Sequence, residues 1–333
     1  MQYILSSAPL KIIKQFQLID EDHFRSIHET KFLSEAIADS LNSKSLKFSC
    51  KSGYIDVVMI MIERGATDWT YGLEGACEER HIDIMQMMID KGASDPNWGL
   101  YGACEGGHID MAQLMIDKGA TNWDWGLLGA CKGGHIHIVH WMIMKGANKW
   151  DWGLDGACEG GHINVIQMMI KLGATNWCGG LCAACKGGHI NAARLMIKKG
   201  ATDWNSGLRW ACSEGRIDIV RLMIEKGATD WNSGLNWACS GGHIDIIQLM
   251  IKLGATSFDD GLVWACEGGH INIALSMIER GATSWNLGLY GACRKGYIDI
   301  VRLMIEKGGY ISMSHISKFS LHVQEYLKKH MKN

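Results

Sequence analysis

Apolar and small residues return along this chain at one fixed interval. With Cys50, Cys77, Cys104, Cys131, Cys158, Cys185, Cys212, Cys239, Cys266 and Cys293 as the zero of a frame, the step is 27 residues every time. A Leu stands four before each Cys, from Leu46 to Leu289, and Ala precedes the Cys in every repeat but the first, where Ser49 stands. Ile follows at plus five, Met-Ile at plus eleven and twelve, and Gly at plus fifteen, in all ten repeats. Apolar positions at plus five, seven, eight, eleven and twelve make the stripe of one buried helix face.

The pattern predicts helix, turn, helix and loop in each repeat. Helix A runs from the Gly-Leu pair through Ala-Cys, for example Leu208 to Ser213. A Gly such as Gly188 or Gly242 ends it, because Gly accepts the left-handed C-terminal position at little cost. Helix B starts near the His, as in His243 to Ile247, with Asp or Asn in its first turn (Asp56, Asp110, Asn164, Asp245) facing the positive helix end. Lys-Gly pairs such as Lys226-Gly227 and Lys307-Gly308 are the matching stop signal. A unit this short cannot bury its apolar face alone, so the repeats must stack. Residues 46–309 are the ten repeats, and residues 1–45, with a helical stretch from Phe32 to Leu41, are expected to form an N-terminal helical cap. Residues 310–333, apolar at Leu321, Val323, Tyr326 and Leu327, are expected to form a C-terminal capping helix.

The run Gly-Gly-His-Ile-Asp-Ile-x-x-x-Met-Ile-x-x-Gly-Ala-Thr, as in Gly241 to Thr256, resembles the second helix and turn of an ankyrin repeat. The resemblance covers roughly residues 46 to 309 and implies an all-α, ankyrin-like helix-turn-helix solenoid. Two departures stand out. Ankyrin repeats run about 33 residues with Thr-Pro-Leu-His in the first helix. Here the period is 27, with Ser-Gly-Leu or Trp-Gly-Leu in that place. The missing residues fall where ankyrin repeats carry a β-hairpin finger, so fingers are expected to be shortened or absent. Trp occupies the expected loop at plus nineteen (Trp69, Trp123, Trp150, Trp177, Trp204, Trp231, Trp285), with Phe258 and Pro96 as exceptions. Shortened, Trp-rich arrays of this kind resemble the ankyrin-like proteins of large DNA viruses such as the mimivirus group.

Composition narrows the function classes. A hydrophobic share of 47% with 20% charged residues is globular, and a net charge of -2 leaves no positive excess for a phosphate backbone, so nucleic acid is not expected as a partner. The longest apolar run, Val57 to Ile62, is far short of a membrane span. Ser6, Ser7, Pro9, Lys11 and Lys14 break up the apolar core a secretory signal needs. Disulfide partners need Cα atoms within about 7 Å, whereas equivalent residues of stacked helices sit on the order of 10 Å apart. The repeated cysteines therefore read as small buried apolar residues, kept reduced in an intracellular compartment.

No motif carries catalytic chemistry. Cys-x-x-x-His recurs, as in Cys104/His108, Cys131/His135 and Cys158/His162, but offers two ligands per repeat and no closed set of four. Arg216 and Tyr297 replace the His without disturbing the pattern, which suits a turn residue. Gly126-Leu127-Leu128-Gly129 lacks the Lys-Ser/Thr of a phosphate loop. Ser, His and Asp sit at repeated positions, whereas catalysis needs one convergent cluster. No enzyme activity, cofactor or metal is expected. The Met at plus eleven reads as core filler.

Two patterns go beyond the frame. At plus twenty-one stand Tyr71, Trp98, Trp125 and Trp152, with Gly75, Gly102, Gly129 and Gly156 four residues later. Further along, Gly179, Ser206, Ser233 and Asp260 are followed by Ala183, Trp210, Trp237 and Trp264. Positions four apart on a helix are neighbours, so one ring per repeat could fill one space from either side. Separate duplication of two blocks is the other reading. The second pattern is the variable pair at minus three and plus one on helix A, one turn apart on one face. Its candidate binding residues are Glu74, Glu78, Tyr101, Glu105, Leu128, Lys132, Asp155, Glu159, Lys186, Arg209, Asn236, Val263, Glu267, Tyr290 and Arg294.

The ankyrin resemblance puts the first helix on the concave side, so this row is the expected binding face. Tyr101, Leu128, Val263 and Tyr290 would be its apolar anchors. A solvated face without a partner is the alternative. The expected function is a non-enzymatic protein-binding scaffold or adaptor, favoured as a monomer. The alternative is a structural or virion-associated protein that assembles with itself or with coat proteins. No F-box-like recruiting module is recognisable in residues 310–333.

Overall fold

The computed structural model describes residues 43–330 apart from Arg64. Among these residues there are 22 helices and no strand. The expected N-terminal cap lies almost wholly outside the described residues. The chain divides into two compact units, Met1–Thr175 and Asn176–Asn333. Each holds five A/B helix pairs stacked as the expected helix-turn-helix solenoid, with short loops where fingers were in question. In each unit A helices stack on A helices, and every B helix packs behind its own A helix.

The core follows the frame closely. Leu at minus four, Ala at minus one, Cys at zero, the residues at plus seven and eight, and Met at plus eleven are buried throughout, as in Leu127, Ala130, Cys131, Ile138, Val139 and Met142. Sulfur joins one repeat to the next. Cys50 Sγ lies 3.9 Å from Met88 Sδ, Cys185 4.0 Å from Met223, and Cys266 3.8 Å from Met304. The Gly before the repeated Leu makes room for this column: a Cβ on Gly261 would sit 3.0 Å from Met277 Sδ and 3.4 Å from Cys239 Sγ. All twelve cysteines are free, and burial pushes thiols such as Cys77, Cys104 and Cys239 up to about 12.

Three expectations are corrected. First, helix A starts at the Trp and not at the Gly-Leu pair, as in Trp204–Ser213 and Trp123–Gly133. The residue before that Trp is an N-cap: Asn122 accepts from Trp125 N, Asn176 from Gly179 N, Asp203 from Ser206 N and Asp230 from Ser233 N. This satisfies an otherwise orphaned donor and adds a full turn. Second, Ile at plus five is not core. Ile82 is 52% and Ile244 56% exposed, because the first residue of helix B lies at the rim of the packed face. Third, the tail forms two helices, Met313–Ile316 and Leu321–His330, not one. Ile311, Ile316 and Phe319 are buried there beside Val323 and Leu327.

Candidate protein-binding face of the first helices

Side chains at minus three and plus one meet across repeats, because their positions one period apart lie on adjacent A helices. In the N-terminal unit they form a dense ion-pair ladder. Lys47 Nζ is 2.6 Å from Glu74, and Lys51 pairs with Glu78. Lys132 Nζ lies 3.0 Å from Glu105, 3.4 Å from Glu159 and 3.3 Å from the Tyr101 hydroxyl. Glu74 and Glu78 are buried, so the row closes over them and leaves them no surface to offer a partner. Burial raises the Glu74 carboxyl above its ordinary range even against the opposing pull of Lys47. Leu128 is half-buried, its Cδ1 against the helix carrying Gly156. Tyr101 is also half-buried, and burial pushes its hydroxyl upward.

Asp155 is the exception in this unit. Its Oδ1 is buried without a hydrogen-bond partner. Burial, with Asp151 and Glu159 nearby, pushes its carboxyl up to about 7. Glu105 Oε2 also lacks a partner, although its other oxygen takes Lys132.

The same row in the C-terminal unit is built differently. Arg294 pairs with Glu267 at 3.1 Å, and exposed Tyr290 sets its ring 5.6 Å from that of Phe319 in the tail. Asn236 accepts from the Ser257 hydroxyl at 3.2 Å, and Val263 is half-buried. Lys186 Nζ lies 5.8 Å from the centre of the Trp210 ring, and Arg209 is exposed and donates to Ser206 Oγ at 3.3 Å. Residues 154–234 match the family model of ankyrin repeats (3 copies). That segment is similar to ankyrin repeats. Such repeats are in general protein-interaction modules on a typically non-enzymatic helical scaffold. No curated protein matches the chain.

Two structural ties of these repeats were not legible as such. The first is the His at plus four. His81, His135, His243 and His270 each donate Nε2–H to a backbone carbonyl of the preceding repeat, at 2.9 to 3.1 Å. Each ring also covers a glycine of that repeat at positive φ, as His135 covers Gly107. That bond gives the His a structural role and explains why a turn residue recurs. Burial holds the His135 and His270 rings below the ordinary imidazole range, against the opposing hydrogen bond. The second tie is the Asn or Asp at plus twenty, whose side-chain oxygen accepts two backbone N–H groups of the next loop. Asn205 takes Thr229 N and Asp230 N at 2.9 and 3.1 Å, and Asp259 takes Thr283 N and Ser284 N at 2.7 and 2.8 Å. Its signal was the recurrence of Asn or Asp at that position from Asn97 to Asn286, with Thr70 and Cys178 as exceptions.

The aromatic exchange is also corrected. Rings do form columns, Tyr71–Trp98–Trp125 at 5.3 and 4.9 Å and Trp210–Trp237–Trp264 at 6.3 and 5.1 Å. The glycines opposite the first column do not mark empty space. A Cβ on Gly75, Gly102, Gly129 or Gly156 would fall on a carbonyl oxygen of the preceding A helix, at Lys47, Glu74, Tyr101 and Leu128 respectively. Trp210 and Trp237 thus belong to the candidate face itself, one residue along from Arg209 and Asn236.

Proposed function

We propose that this chain is a non-enzymatic protein-binding scaffold that receives its partner along the first-helix row of its ankyrin repeats. What supports the reading most is the register of that row. Its variable side chains stand on one face of successive A helices, with Arg209, Trp210, Tyr290 and Arg294 exposed to meet another surface. On this reading the partner is a host protein met in a reducing compartment, in keeping with the resemblance to the ankyrin-like arrays of large DNA viruses. Affinity capture from the native cell tests it, comparing the wild-type chain with an Arg209→Glu/Tyr290→Ser/Arg294→Glu variant. Partners retained equally by both chains would overturn it.

One observation favours the second reading, an assembly protein. The Ile at plus five stays large and apolar in every repeat although Ile55, Ile82, Ile109, Ile136 and Ile244 are exposed, and regular exposed apolar residues suit contacts between copies. Sedimentation velocity of the wild-type chain and of Ile109→Lys/Ile136→Lys separates the two: a concentration-dependent oligomer lost in the variant supports assembly.

A further inference from the structure

We infer that Arg209, Trp210 and Trp237 form a docking site for an acidic peptide segment of a partner protein, with a carboxylate on Arg209 and a neighbouring apolar side chain between the indoles. The inference rests on the scaffold reading above and names the chemistry of what part of that face would hold.

Three features converge on this class of ligand. These residues line a surface cavity of about 70 Å³. Sites for cofactors and drug-sized molecules run roughly 300–1,000 Å³, so this one suits the tip of a side chain. Its walls are apolar: Trp210 remains 39% exposed, and its ring stands 6.3 Å from Trp237, against 5.1 Å for the next pair in the column. An indole left this open offers a large rigid contact area at low entropic cost to a partner.

Charge then selects among apolar ligands. Along the row from Lys186 to Ser240 stand Lys186, Arg209, Ser213, Asn236 and Ser240, two cations and no acid. Arg209 has only the neutral Ser206 hydroxyl, whereas Lys47, Lys51 and Lys132 in the other unit each hold a glutamate. A guanidinium matches a carboxylate in a two-point fork, and such a pair is strengthened beside apolar walls. The Arg209 guanidinium disfavours a cationic ligand, although paired indoles alone would suit one. A nucleic acid strand would also use rings and cations, but it needs several phosphates neutralised, and the net charge of the chain is -2.

The test pans phage-displayed random dodecapeptides on the full chain and titrates the enriched peptides, fluorescein-labelled, by anisotropy. Enriched sequences are expected to place Asp or Glu beside Leu, Phe or Trp. Arg209→Glu, an exposed change checked for folding by circular dichroism, is expected to weaken them at least tenfold, as is Trp210→Ala. Replacing the peptide acid by Lys is expected to abolish binding. Enrichment without an acid, no enrichment, unchanged binding to Arg209→Glu, or displacement by single-stranded oligothymidylate would each overturn the docking site. Peptides indifferent to Arg209→Glu but weakened by Arg294→Glu would overturn it and leave the first-helix scaffold standing. Peptides indifferent to both would overturn both.

Discussion

The two units share one repeat frame and one core, yet their A helices meet on different terms. In the N-terminal unit, Gly75, Gly102, Gly129 and Gly156 let the backbones of successive A helices touch, and lysines and glutamates close the row above them. In the C-terminal unit the same positions carry Trp210, Trp237 and Trp264, and one repeat further on Gly291 has Glu267 Cγ, a side-chain atom, 2.7 Å from its Cβ direction. The A helices there are held further apart at this level, and indoles line the opening. The position two before the repeated Cys therefore marks where the face is sealed by ion pairs and where it is left as an aromatic cleft. A glycine at a backbone contact admits nothing else, whereas a wider spacing takes a side chain, the ring at Trp210, Trp237 and Trp264 or the Glu267 stem beside Gly291.

The hardest test of this contrast is Gly129→Trp. Its side chain would drive into the Tyr101 carbonyl, and destabilisation of roughly 3 kcal/mol or more is expected in urea unfolding, at or beyond the upper end for overpacking. Adding Trp125→Ser should bring no recovery, because the obstacle is backbone and not the neighbouring ring. Recovery would restore the idea of one shared space filled from either side.

Next in size is Trp237→Ala. The ring is half-buried, so a loss of about 2 kcal/mol is expected, below the roughly 3–5 kcal/mol of a fully buried Trp. A loss near zero would mean that the indoles ride on the spacing and do not maintain it.

Asp155→Asn probes the one unpaired acid in the otherwise sealed row. The carboxyl titrates at about 7 in the fold against an ordinary 3.8, so its folded form prefers the proton. The stability it contributes is complete below pH 3.8 and is lost as pH rises through about 7. The Asn variant should then be more stable than wild type at pH 8, on the order of 1 kcal/mol after solvent screening, and nearly equal to it at pH 4. A destabilised variant at pH 8 would show that Asp155 holds a compensating partner.

The smallest effect belongs to a turn. Arg80 sits at φ 62, where every other repeat with a residue at that turn position has Gly. Arg80→Gly should relieve the left-handed strain while losing the exposed contact to Asp110, for a net gain of about 0.5 kcal/mol in thermal unfolding. If this change altered the row chemistry as much as Gly129→Trp, turns and not helix spacing would control the face.

Much of the molecule was present in its sequence. The 27-residue period, the buried Leu, Ala, Cys and Met, the two-helix unit and the minus-three and plus-one row are properties of spacing, and helical geometry alone turns spacing into a face. Tertiary structure decided what touches that face. From sequence, Glu74 and Lys132 were equally surface residues, and only the approach of neighbouring A helices buried one and gave the other three partners. Likewise, Gly129 and Trp237 are one position in the frame. Whether that position is a backbone contact or the wall of a cleft depends on the distance between two helices, a quantity set by all the side chains between them and written in no single residue.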